Sequence, residues 1–217
     1  MKYEELQFKL LQFLKPYWNK VVTFDLETFV EKDEFLSDER ILSISFARRL
    51  SSNFLESEGI EIKTMVLEKD DDESEMKLLK EFNDELGKIK PLGAIGFCSK
   101  FYDLPLLMQK RNKYYKKNNF SIWKVVDFME DSLHIDLYQF FKFKEKKRFH
   151  DVLAYPEFSE LPFMNVKKLV SSARDEKGKD IINLWKKDKK KLQLYNEGDV
   201  HDTLLIAEII LTQPGIL

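Results

Sequence analysis

Asp25 and Glu27 stand two residues apart at the end of VVTFDLET, residues 21–28. Val21, Val22, Thr23 and Phe24, just before them, are β-branched or aromatic, the types that suit a buried strand. Residues two apart on a strand point to one face, so this spacing predicts two carboxylates projecting together. Neighbouring carboxylates repel unless a positive charge lies between them. Mg²⁺ and Mn²⁺ prefer carboxylate and water oxygens and would supply it. The pair by itself also suits a solvated strand end running into a turn, so its partners must decide.

Asp103 is the first partner. It follows a strand-like segment, PLGAIGF (91–97), and opens a helical one, LPLLMQKRNKYYKK, which places it at the carboxyl edge of a sheet. Asp is also a favoured helix N-cap, so position alone leaves both roles open. The second partner lies in LYNEGDVHDTLL (194–205), where Tyr195 and Asp199 are four apart. Residues i and i+4 share a helix face, so a phenol and a carboxylate would meet at one spot.

The elements that must position these groups follow from periodicity. Residues 3–14 carry apolar positions at Leu6, Phe8, Leu10, Leu11, Phe13 and Leu14 and predict a helix ending near Pro16. Segments 20–26, 41–48 and 61–67 read as strands, and the acidic stretch between the first two is long for a hairpin. The run EKDDDESE opens a helix near 74–88, where negative charge complements the helix dipole. HIDLYQFF (134–141) reads as a further strand. Helices are expected around 144–155, around 165–173 and from Asp188 to Leu211. Three consecutive strands make an antiparallel meander, and strands separated by helices add in parallel through crossovers. The expected fold is α/β, a mixed central sheet flanked by helices.

FDLET (24–28), GFCSKFYDLPLL (96–107) and YNEGDVHDT (195–203), in this order, resemble the DEDDy branch of the DnaQ-like 3′–5′ exonucleases, which includes the proofreading domains of family B DNA polymerases. HIDLYQFF and KGKDIINLWKKDKKKLQLYNEGDV, with its Lys/Gly-rich loop and Trp ahead of the third motif, resemble the polymerase-related members. The likeness covers roughly residues 20–210 and implies an RNase H-like fold. It implies that Asp25, Glu27, Asp103 and Asp199 hold two divalent ions, Mg²⁺ or Mn²⁺, with Asp25 touching both, and that Tyr195 orients the attacking water. It selects Asp199 over Asp202, since Asp202 has Gly198 four residues before it. The sister branch carries a His five residues before that Asp, and here the position is Leu194; His201 is expected to lie off the site. The chain departs from the family at Cys98, where an Asn is common, and at Tyr102, where a Phe is common.

The activity so implied is metal-dependent trimming of single-stranded or frayed 3′ ends, DNA favoured and RNA open, with release of nucleoside 5′-monophosphates. The other readings are a nucleic-acid-binding module with weak catalysis and a structure-specific endonuclease on the same scaffold. Basic and aromatic segments at 111–117, 142–149 and 186–191 are candidates for phosphate and base contacts. Each also reads as a solvated helix face. Phe29 could wedge against terminal bases or belong to the core.

The 217 residues predict a single domain over 1–217, with 1–18 as a helical extension. A formal net charge of -2 excludes a basic coating protein, and the charged fraction of 34% exceeds the usual quarter or so. Cys98 is the one cysteine, which excludes an internal disulfide and a cysteine zinc site and fits a reducing, cytoplasmic setting. LLIAEIIL near the C-terminus is short and broken by Glu208, so no membrane association is expected, and no protein partner can be inferred.

Overall fold

A computed structural model describes residues 3–29, 39–51, 54–56, 58–118, 133–142, 148–164, 166, 169–170 and 174–213. Its elements run α1 (Tyr3–Leu14), a 3₁₀ turn (Lys15–Lys20), β1 (Val21–Phe29), β2 (Arg40–Arg49), β3 (Ile60–Val66), α2 (Asp72–Ile89), β4 (Gly93–Gly96) and α3 (Asp103–Asn118). Then come β5 (His134–Asp136), the short helices α4 (Tyr138–Phe141) and α5 (Phe149–Val152), a 3₁₀ turn (Pro156–Phe158), α6 (Arg174–Lys187) and α7 (Lys189–Thr212). The expected acidic loop after β1 and most of the helix expected around 165–173 lie outside the described residues; of the helix expected around 144–155, residues 148–155 are described and only Phe149–Val152 are helical.

The five strands form one sheet in the order β3-β2-β1-β4-β5. β1–β2 and β2–β3 are antiparallel, and β1–β4 and β4–β5 are parallel. This is the mixed sheet expected, an arrangement compatible with the RNase H-like fold. Side chains alternate across it. Val22, Phe24, Leu26, Ile44 and Phe46 form a core with Leu78, Leu79, Phe82 and Leu86 of α2 and with Leu106 and Leu107 of α3. Burying each of these large side chains contributes about 1.5–3 kcal/mol. A second core joins Leu11, Leu14 and Trp18 to Val21, Ile95, Ile135 and the α7 residues Leu204, Ile206 and Ile210.

Local chemistry explains the element ends. Asp71 caps α2 by accepting from Ser74 N at 2.7 Å, and Asp72, Glu73 and Glu75 fill the first turn, where the helix dipole favours anions. Lys90 ends α2 in the left-handed conformation ahead of Pro91. HIDLYQFF is a strand only as far as Asp136. There the Asp136 carboxylate accepts the Tyr138 N–H at 3.1 Å, and the chain turns into α4. Asp captures its own backbone two residues on in this way. KGKDIINLW is also not a loop; it lies within α6.

Candidate metal centre

The β1 face that carries Asp25 and Glu27 also carries Thr23, and on β2 their register partners are Ser45 and Ser43. These side chains are small, so α7 settles close to the sheet. Thr23 Oγ1 donates to Val200 O at 2.8 Å, and Asn196 Nδ2 donates to Ser43 Oγ at 3.2 Å. That docking brings Asp199 down onto the strand. One carboxylate oxygen from each of Asp25, Glu27 and Asp199 lies within 4.8 Å of the others. The β1–β2 register shifts between Glu27 and Thr28, and such irregularities re-aim side chains beside sites.

Asp103 is the first residue of α3, buried, and close enough to Asp25 and Glu27 to feel both charges. Burial first, then those two carboxylates, hold its carboxyl well above the usual range. Tyr195 is buried one helical turn before Asp199. Burial, and then the negative charge of Glu27, raise its phenol well above the ordinary value. Its hydroxyl therefore stays protonated at neutral pH. Asp202 and His201 sit elsewhere: Asp202 Oδ1 accepts from Met164 N at 3.0 Å and lies 2.8 Å from His201 Nδ1.

Lys177, on α6, is a site residue that the sequence reading missed. Its Nζ lies 3.2 Å from Glu27 Oε1 and 5.6 Å above the Tyr195 ring. Desolvation acts against its charge, but Glu27, Tyr195 and Asp25 outweigh it and raise its pKa. The side chain is 45% exposed, so water screens this ammonium and one cation does not balance four carboxylates. The available signal was helical spacing: Lys177, Ile181 and Trp185 are four apart, and the last two are buried.

A divalent cation fits these residues. The donors are hard carboxylate oxygens, three of them converge, and negative charge is in excess in a largely buried setting. One oxygen each of Asp25 and Asp199 is buried and accepts no hydrogen bond.

Other candidates fall differently. Tyr114, within the 111–117 segment, is buried and bonded to Glu75, while Lys113 pairs with Asp72 at 2.8 Å. In 186–191, Lys189 donates to Leu67 O and Glu68 O and lies 4.9 Å above the Trp185 ring. Lys186, Lys187 and Lys190 stay exposed. Phe29 packs against the first core. Residues 143–147 lie outside the described residues. Cys98 holds φ +64°, a left-handed conformation in which Asn is several-fold enriched, and burial pushes its thiol up to about 11. Among the described residues no helix is long and apolar enough to cross a membrane.

No protein-family model and no curated protein matches the chain. Among solved structures it is similar to the family B DNA polymerase from the hyperthermophilic archaeon Pyrobaculum calidifontis, with a TM-score of 0.62 and 18% identity. The match covers 88% of this chain and 24% of that one, so the chain spans about a quarter of the polymerase's length. At this identity the likeness shows the fold.

Proposed function

We propose that the chain is a 3′–5′ exonuclease that hydrolyses phosphodiester bonds of single-stranded or frayed nucleic acid, using two divalent ions and releasing nucleoside 5′-monophosphates. The observation that carries this reading is the convergence of Asp25, Glu27 and Asp199 from a strand and a distant helix. The similarity to a DNA polymerase favours DNA as substrate. Ions held by these three residues, with Asp103 beside them, would supply a nucleophilic water at neutral pH and stabilise the leaving oxygen.

The remaining work falls to the chain's own groups. Tyr195, kept protonated, donates its hydroxyl to orient the attacking water and does not act as a base. Lys177 places a positive charge beside Glu27 and over the phenol, where it can meet a substrate phosphate. Clustered carboxylates repel a polyanion, which weighs against a module whose only task is to bind nucleic acid.

The test is a time course on 5′-labelled single strands with Mg²⁺, Mn²⁺ or EDTA. The expected result is a metal-dependent ladder of shortening products, absent in Asp25→Ala. Full activity of that variant, cleavage in excess EDTA or cutting of a circular strand would overturn the reading.

A further inference from the structure

Residues 97–102 join β4 to α3 and deliver Asp103. Few regular hydrogen bonds hold such a turn, yet this one is tied down from beneath. Asp136, fully buried at the end of β5, spreads its carboxylate across it. Oδ1 accepts Cys98 N–H at 2.8 Å, and Oδ2 accepts Lys100 N–H at 3.1 Å. A third amide, Tyr138 N–H, fixes the carboxylate from the far side at 3.1 Å. Ser99, between the two held amides, lies with its Oγ 2.8 Å from Nε2 of the buried His134. On the opposite flank the Tyr102 hydroxyl donates to Glu39 and lies 2.5 Å from Thr28 Oγ1, which ties the turn to the residue after Glu27.

Burying a carboxylate costs free energy unless donors meet it. Here the donors are backbone amides, two of them in one turn. An Asn in its place would offer one acceptor oxygen and aim an amide group at an N–H. Cys98, whose amide Asp136 holds, has a left-handed φ of +64°.

We propose that Asp136 is a positioning residue for Asp103: its carboxylate sets the turn that presents Asp103 to the other three carboxylates. This rests on the reading of that cluster as a metal centre. Groups that orient metal ligands typically change metal affinity or activity by about 10–100-fold when altered.

The experiment measures Mn²⁺ affinity by calorimetry, without substrate, in wild type, Asp136→Asn, Asp103→Asn and the double variant. The expected result is a roughly tenfold or greater loss in Asp136→Asn. The double variant should bind no more weakly than Asp103→Asn alone, because Asp136 acts through Asp103. Wild-type affinity in Asp136→Asn, or losses that multiply in the double variant, would overturn the proposal. Should Asp136→Asn fail to fold, Ser99→Ala loosens the same turn. It should show a smaller loss that vanishes in the Asp103→Asn background, and wild-type affinity there would sink the idea. A wild-type chain that binds no Mn²⁺ overturns the metal centre itself, and this inference with it.

Discussion

Asp199 and Glu208 lie on the same helix, α7, and both are buried, yet their surroundings are opposite. Glu208 receives a full set of donors: Arg49 Nη2 at 2.6 Å and Nε at 2.9 Å, the Trp18 indole at 2.9 Å and Leu55 N–H at 2.8 Å. Arg49 is itself fully buried and also donates to Glu56 O and Glu58 O. Asp199 instead meets two further carboxylates. One end of the helix is electrostatically closed and fastens β2, α7 and the turn before β1. Around Asp199, nearer the middle of the helix, the carboxylates outnumber the one cation beside them, Lys177. Buried charge that the fold completes fastens elements together; the acidic triad of Asp25, Glu27 and Asp199 is a group that could hold a metal ion.

This contrast predicts opposite costs. Asp199→Asn should abolish the product ladder while the unfolding midpoint in EDTA stays equal to or above wild type. Arg49→Met leaves Glu208 buried without its cation and should cost about 3–5 kcal/mol in urea unfolding, with activity per folded molecule retained. An Asp199→Asn that unfolds the chain, or an Arg49→Met that does not, would erase the distinction.

One helical turn before Asp199, Tyr195→Phe keeps the ring and removes the hydroxyl. Positioning and proton-transfer contributions run to ~10²–10⁴-fold, so single-turnover cleavage should slow by an amount in or somewhat below that range, with Mn²⁺ affinity unchanged. An unchanged rate would reduce Tyr195 to a packing residue.

The pH dependence sharpens the comparison further. The folded-state pKa of Asp103 is raised by burial and by Asp25 and Glu27. The folded chain therefore binds this proton more tightly than the unfolded chain. The resulting stability is fully present below the ordinary carboxylate pKa and is lost as pH rises through the raised value. The metal-free chain should lose stability over that interval. Mn²⁺, which takes the deprotonated form, should raise the melting temperature more at pH 8 than at pH 5.5. An equal shift at both values would contradict the coupling.

The smallest effect concerns two helical glycines. A Cβ at Gly178 on α6 would meet nothing within 4 Å, whereas one at Gly198 on α7 would come within 2.1 Å of Val166 Cγ2. Gly178→Ala should stabilise by about 0.5–1 kcal/mol through backbone entropy, and Gly198→Ala should destabilise. Chemical denaturation of the two variants would show the opposite signs.

The mixed sheet was legible from the succession of strands and helices, and period two in β1 put Asp25 and Glu27 on one face; Asp199 was singled out by the family resemblance, since the i, i+4 spacing of Tyr195 and Asp199 is by itself a weak pattern. Lys177 was not, because Gly178 and a run of lysines disguised α6 as a loop. Asp136 was not either. Its work is done by backbone amides of Cys98 and Lys100, and a main-chain donor leaves no mark in side-chain identity. The short reach of β5 has the same origin, since side-chain capture of an amide ended the strand where the apolar pattern continued. Cys98 shows the converse: a left-handed φ accounts for why an amide side chain suits that place in the family it resembles.

The bond from Thr23 Oγ1 to Val200 O joins residues 177 apart in sequence. Asp25 is the first carboxylate of the cluster that a ribosome would make, and Asp199 is the last. The charge cluster therefore cannot assemble on a growing chain until α7 has emerged and docked. A chain stalled, truncated or clipped before that helix holds carboxylates that never meet.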